Sequence, residues 1–147
     1  MKNFEPVYKE LENLFINKLP EYIEKINKEH NDGIILKPFE NKNLEENCIK
    51  IPSFSFKLEE TEYEEKDRII ENTIYTISIE IKLPPDTEKK SIILYRYFEA
   101  INMTIIEYEG WQEIKILSTR ENKAFIKITI WGAYGLRQET SKIRKAN

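Results

Sequence analysis

The middle of the chain alternates between apolar and polar residues and then changes to a wider spacing. From residue 73 onward an apolar side chain recurs at every second position, at Tyr75, Ile77, Ile79, Ile81 and Leu83. A period of two places these side chains on one face of a strand, so we predict a strand buried on one side only. Pro84-Pro85 ends the strand, because proline has no N–H to donate to a ladder.

A helix is predicted directly after that strand. Its apolar positions lie three or four residues apart, at Leu94, Phe98, Ile101 and Ile105, with Ile93 and Tyr97 widening the stripe. Asp86 or Thr87 is expected to cap the N-terminus of this helix. The pattern predicts an amphipathic helix that folds back over the apolar face of the strand, with Phe98 packed against Ile79.

The N-terminal segment has helical periodicity from Phe4 to Ile26, interrupted by Pro20. Because the proline ring clashes with the carbonyl four residues earlier, we predict a kink or a short second helix that starts there. The sequence Asn31-Asp32-Gly33 predicts a turn after the helical segment. Residues 34–36 are predicted to form a short strand that ends at Pro38.

A second strand region is predicted from Cys48 to about Leu58, with a change of phase at Pro52. A proline combined with a one-residue slip indicates a bulge or an edge position. Residues 59–72 are highly charged and have little periodicity. They form either a long hairpin that projects from the sheet or a mobile loop, and we favour the projecting hairpin.

Two shorter strands are predicted after Gly110. Residues 111–117 and 123–131 have matching apolar positions and form a hairpin closed by residues 120–122. Together the elements predict an α+β fold, a mainly antiparallel sheet with two helices packed on one face and a long charged β-hairpin. Residues 1–136 are expected to form a single domain and residues 137–147 a flexible C-terminal tail.

Composition restricts the classes of function. A chain of 147 residues suits one domain with a real core, and a formal net charge of −3 argues against a dedicated nucleic-acid binder. The single cysteine, Cys48, excludes an intramolecular disulfide. The N-terminus lacks the apolar core of a signal peptide, and no apolar run is long enough to span a membrane. We therefore expect a cytoplasmic protein.

Charge is distributed unevenly along the chain. Residues 59–67 hold one lysine and six acids, which are Glu59, Glu60, Glu62, Glu64, Glu65 and Asp67. Residues 137–147 hold one acid and four bases, which are Arg137, Lys142, Arg144 and Lys145. Both segments are typical of solvated loops and tails, but their opposite charges also fit a contact between subunits.

Few residues could carry catalytic chemistry. His30, the only histidine, lies in a polar helix end and is interpreted as a solvent-exposed cap, and Cys48 as an inert thiol. The acidic segment could chelate a hard cation, but it lacks the glycine turn and fixed spacing of a calcium loop. The chain has four glycines, and no glycine-rich segment that could form a phosphate-binding loop. We expect no enzyme activity and no cofactor or structured metal site.

Two aromatic residues stand where the last predicted strand gives way to the tail. These are Trp131 and Tyr134, which lie on either side of a Gly-Ala pair. Amphipathic rings at such an edge suit a protein interface, because one side of the ring is apolar and the other can hydrogen-bond. A core position for the tryptophan is the alternative interpretation.

The order of these elements resembles the tail terminator and neck-completion proteins of long-tailed phages. Members of that group begin with an amphipathic helix, here residues 8–28, and continue with a proline-marked strand, here Ile49-Lys50-Ile51-Pro52-Ser53-Phe54. A long hairpin and an alternating strand that leads into the second helix follow, here residues 75–106. Short strands end the pattern, here residues 114–131.

The resemblance covers residues 4–131 and implies a structural protein, from an active phage or a prophage, rather than an enzyme. Such proteins form homo-oligomeric rings, commonly hexamers, that cap the tail tube and provide the docking surface for the head. The implied partners are further copies of the chain, the tail tube protein and a head-completion protein. No membrane or sequence-specific nucleic acid is implied, although DNA passes through the ring. The subunit would be made in the cytoplasm and assembled into the virion.

Within that interpretation, the acidic segment, Trp131, Tyr134 and the basic tail are the expected interface. An acidic inner wall would also let DNA pass without adhering, because like charges remove the nonspecific attraction for phosphate. The alternative is a small cytoplasmic α+β module that binds a protein or a ligand on its open sheet.

Overall fold

The structure, a computed structural model, describes residues 4–39, 52–110 and 113–131. These residues form three helices and a four-stranded antiparallel sheet, so the predicted α+β class is confirmed. The elements are α1 Glu5–Asn17, α2 Leu19–Glu29, β1 Ser53–Lys66, β2 Ile69–Lys82, α3 Lys90–Glu107, β3 Glu113–Arg120 and β4 Lys123–Trp131. The predictions for Cys48, for residues 49–51, for Tyr134 and for the tail lie outside the described residues.

The N-terminal helical segment is divided in two, as Pro20 predicts. Helix α1 ends at Asn17, and Lys18 serves both as its C-cap and as the N-cap of α2. Pro20 occupies the first turn of α2, where the missing N–H has no intrahelical partner to lose. The first predicted helix is therefore two short helices, which raises the number of helices from two to three.

The segment after α2 is not a strand, so the prediction for residues 34–36 is wrong. The backbone N–H and C=O groups of Leu36 and Lys37 form hydrogen bonds with side chains, and not with a neighbouring strand. Asn27 pairs with both backbone groups of Leu36: its Oδ1 accepts from the N–H at 2.8 Å, and its Nδ2 donates to the carbonyl at 3.0 Å. The Tyr97 hydroxyl donates to the carbonyl of Lys37 at 2.7 Å and accepts from its N–H at 3.1 Å.

The sheet has the strand order β1-β2-β4-β3, and every neighbouring pair is antiparallel. Strand β2 is central, and four of the five residues predicted for its inner face, Tyr75, Ile77, Ile79 and Ile81, are buried. The fifth, Leu83, lies after the end of the strand and is half-buried. Strand β4 buries Ala124, Ile126 and Ile128 in the same way. The predicted β3–β4 hairpin is also confirmed, with Ile114 opposite Ile128 and Ile116 opposite Ile126.

Helix α3 begins later than predicted, and the prediction of an Asp86 or Thr87 cap is wrong. The N-cap is Lys89, which has a φ of 55° and makes no side-chain capping bond. The hydroxyl of Thr87 instead donates to the carbonyl of Pro84 at 2.7 Å, because the chain first makes a turn after the two prolines. The most buried stripe of α3 is Tyr97, Ala100, Ile101, Thr104 and Ile105, whereas Leu94 is half-buried.

Buried side chains from the three helices and from β1, β2 and β4 form one hydrophobic core. Phe15 of α1 contacts both Phe54 and Phe56 of β1, with ring centroids 5.0 and 4.9 Å apart. Phe39 stacks on Tyr97 at 4.6 Å and thereby fixes the segment after α2 against α3. Aromatic pairs of this kind add stabilisation beyond the area that they bury.

Candidate functional site

The charged segment after the first strand is a projecting β-hairpin, as favoured from the sequence. Strands β1 and β2 pair from Ser53 opposite Lys82 to Lys66 opposite Ile69. Among the described residues, β4 accompanies β2 as far as Thr73, which lies opposite Ile130. Residues 64–72 form a two-stranded ribbon that extends about 10 Å beyond this last described pair, at about 3.3 Å per residue.

A β-bulge at Glu59 directs the acids away from the core. Leu58 lies opposite Ile77, but Glu60 lies opposite Thr76, so one residue of β1 is left without a partner in the ladder. Without this extra residue, the alternation that buries Phe54 and Phe56 would continue to the glutamates at 60, 62 and 64. The bulge places those three side chains on the opposite face.

Three of the acids have polar partners within the chain. The carboxylate of Glu59 accepts from the Ser78 hydroxyl at 2.7 Å, and Glu64 accepts from the amide of Asn72 at 3.1 Å. Glu62 lies 3.3 Å from the ammonium of Lys127 on β4. Among the described residues, no group of three or more His, Cys, Asp or Glu side chains could hold a metal ion.

The tip of the hairpin is basic and partly apolar, which the sequence analysis missed. Lys66 and Ile69 form the last pair, and Asp67 and Arg68 form the two-residue turn with φ values of 53° and 67°. Positive φ at both positions is the pattern of a type I′ turn, which normally favours Asn-Gly. Ile69 is 64% exposed, and Tyr63, at the base of the ribbon opposite Thr73, is 52% exposed.

A groove of about 370 Å³ lies between α3 and the β3–β4 turn. Leu94 and Phe98 supply its apolar surface, and Tyr95, which is 71% exposed, stands at the groove. Glu99 of α3 and Glu121 of the turn line it with carboxylates. Phe98 is buried in the core, as the sequence pattern predicts, whereas Leu94 is half-buried and packs against the core.

The remaining predicted interface residues fall in three groups. Trp131 ends β4 beside the base of the ribbon and is 53% exposed, so it is not the core tryptophan of the alternative interpretation. Tyr134, Arg137, Lys142, Arg144 and Lys145 lie outside the described residues. Glu60, Glu65 and Asp67 are exposed on the hairpin.

A buried arginine that the sequence analysis did not single out fixes the turn after α2. Arg96 lies within the buried part of α3, and its guanidinium donates to both carboxylate oxygens of Asp32. These hydrogen bonds lower the pKa of Asp32 to about 2. The signal was an arginine inside the apolar sequence Leu94-Tyr95-Arg96-Tyr97-Phe98. His30, half-buried, is the C-cap of α2.

Within residues 4–39, 52–110 and 113–131, no helix combines the length and the apolar character needed to cross a membrane. The hairpin tip and the groove each offer mixed apolar and charged surface to a partner. No protein-family model, curated protein or solved structure matches the chain.

Proposed function

We propose that this protein is a structural subunit of a phage or prophage tail, similar to tail terminators, whose copies form a ring on the tail tube. The observation that carries the proposal is the projecting β1–β2 ribbon. It carries the exposed Ile69 and a dense set of charges beyond the last described pairing with β4, and the exposed Tyr63 stands at its base, opposite Thr73. An arm of this kind is suited to contacts between subunits, because aromatic and apolar anchors within a charged rim are typical of interfaces.

A ring imposes a particular kind of contact. Head-to-tail assembly joins two different surfaces of each subunit, unlike a two-fold dimer, which uses one surface twice. The ribbon and the groove on α3 are two such surfaces on separate elements of the fold. The resemblance of the element order to tail terminators supports the same arrangement, with the tail tube and a head-completion protein as the further partners.

The acidic ribbon and the basic tail are proposed as complementary parts of this assembly. Glu62, Glu64 and Glu65 would face Arg137, Lys142, Arg144 and Lys145 of a neighbouring subunit. Contacts between exposed charges weaken as salt shortens the screening length to about 10 Å at 0.1 M. Ring formation is therefore expected to decrease with ionic strength while the fold persists.

The test measures oligomeric mass by light scattering over a range of concentrations, followed by binding to purified tail tubes. The main variant replaces residues 64–72 with Asn-Gly, which closes the hairpin directly above Tyr63 and Thr73. We expect this variant to melt near the parent temperature and to form no rings. A parent that stays monomeric at every concentration and does not bind tail tubes would contradict the proposal.

Two further variants test the proposed charge contacts. One carries Glu62, Glu64 and Glu65 as Gln, and the other ends after Gly135. Both should fold like the parent and form fewer rings. If both assemble normally, the acidic ribbon and the basic tail have no contact role, although the ring itself could still form through other surfaces.

The second candidate function is a small cytoplasmic binding module, and the groove on α3 is the observation that favours it. Its volume of about 370 Å³ lies at the lower end of the range of ligand pockets, about 300–1,000 Å³. The carboxylates of Glu99 and Glu121 would select a ligand with a cationic group. A monomeric parent that binds amine-bearing ligands in a manner abolished by Glu99→Gln would favour this function over the ring.

A further inference from the structure

We infer that the groove between α3 and the β3–β4 turn receives the hairpin tip of a second copy of this chain. The inference rests on the proposed function and adds to it the identity of the two contacting surfaces. The hairpin tip is defined by Lys66, Asp67, Arg68 and Ile69. The groove is defined by Leu94, Tyr95, Phe98, Glu99 and Glu121.

The two surfaces are complementary in charge and in apolar character. The tip carries two bases and one acid, a net charge of +1, together with the exposed Ile69, and the acids Glu64, Glu65 and Glu71 of the ribbon lie below it. Among its described lining residues, the groove has Glu99 and Glu121 as its charged side chains, set around Leu94 and Phe98. A guanidinium at the tip can pair with a carboxylate and stack on the ring of Tyr95, while the isoleucine meets the apolar surface.

The fold prevents a subunit from filling its own groove. The tip lies beyond the end of the sheet where Thr73 pairs with Ile130, whereas the β3–β4 turn lies at the other end, where Glu80 pairs with Lys123. The stretch of β2 from Ile69 to Glu80 is about 36 Å long at about 3.3 Å per residue. The tip and the groove therefore point to opposite ends of the molecule, and contact between them joins two copies head to tail.

The test exchanges the charges. Arg68→Glu and Glu121→Arg should each raise the dissociation constant for self-association about tenfold or more, because each places like charges together. Mixing the two variants in equal amounts should restore assembly, since the Glu tip of one variant then meets the Arg groove of the other and the reverse contact is also matched. Lys57→Glu, an exposed reversal elsewhere on β1, is the control and should associate like the parent.

The outcomes separate this contact from the proposed function. Circular dichroism establishes that each variant is folded before its mass is measured by light scattering. Variants that fail alone and assemble when mixed support the contact. If the parent forms rings and both reversed variants do so equally well, the tip-to-groove contact is wrong while the ring stands. If the parent remains monomeric throughout, the ring and this contact are both wrong.

Discussion

Replacement of Tyr97 by Phe should loosen the segment between α2 and the sheet without creating a cavity. The hydroxyl makes two hydrogen bonds to the backbone of Lys37, at 2.7 and 3.1 Å, and the residue is only 1% exposed. Phenylalanine keeps the ring and its stacking on Phe39. Each hydrogen bond contributes a net of about 0.5–1.5 kcal/mol, so the loss of both should lower the free energy of unfolding by about 1–3 kcal/mol.

Urea denaturation followed by circular dichroism at 25 °C measures this difference, because the midpoint falls in proportion to the lost stability. Tyr95→Phe on the same helix is the matched control. Its side chain is exposed, so the expected change is within about 0.5 kcal/mol. Equal midpoints for Tyr97→Phe and the parent would refute the idea that this hydroxyl holds the segment in place.

A double mutant tests whether Asn27 and Tyr97, which hydrogen-bond the backbone of the segment after α2, act together. Asn27 and Tyr97 bind the neighbouring residues Leu36 and Lys37. Once one of these two side chains is removed, the segment is already partly released, so the hydrogen bonds of the other side chain should contribute less. We therefore expect Asn27→Ala with Tyr97→Phe to cost less than the sum of the single changes. Strict additivity would show that the anchors are independent.

Three further predictions address the core, the acid response and the acidic ribbon. Ile79→Ala, at a fully buried position of β2, should lower the free energy of unfolding by about 2–5 kcal/mol in the same urea assay. The lowered pKa of Asp32, about 2, means that its contribution is complete above the pKa of about 3.9 of an unfolded aspartate and is lost as pH falls through about 2. Asp32→Asn should accordingly lose less stability than the parent between about pH 4 and pH 2, and parallel pH profiles would contradict this. Glu62→Gln, which removes the half-exposed pair with Lys127, should change the free energy of unfolding by at most about 1 kcal/mol at low salt and by less at high salt.

Features that depend on local pattern could be predicted from the sequence. The alternation through Tyr75, Ile77 and Ile79 identified the central strand, because a strand buried on one face must place its apolar residues at every second position. Pro20 identified the break between α1 and α2, because the proline ring clashes with the carbonyl four residues earlier in any continuous helix. The matching apolar positions of β3 and β4 predicted that the two strands pair as a hairpin, whereas the register shift between Ile116 and Ser118 was not predicted.

Features that depend on distant partners could not be predicted in this way. Residues 34–36 look like a strand, but the backbone groups of Leu36 are satisfied by Asn27, and those of the next residue, Lys37, by Tyr97, 60 positions further along the chain. The bulge at Glu59 depends on the register with β2, which one strand alone does not reveal. The charges of the tip were hidden for a similar reason. Lys66 and Arg68 belong by sequence to an acidic segment, and only the position of the turn at residues 67 and 68 shows that they stand at the end of the hairpin.

The most direct test of the account is the mass of the intact chain in solution as concentration rises. Light scattering should resolve a monomer of 17.6 kDa at low concentration and a single closed oligomer, about six times heavier, at high concentration. A closed ring has a defined upper mass, whereas a head-to-tail contact that does not close gives filaments of growing mass. A 17.6 kDa species at every concentration and at low salt would contradict the proposal that this protein works as a ring.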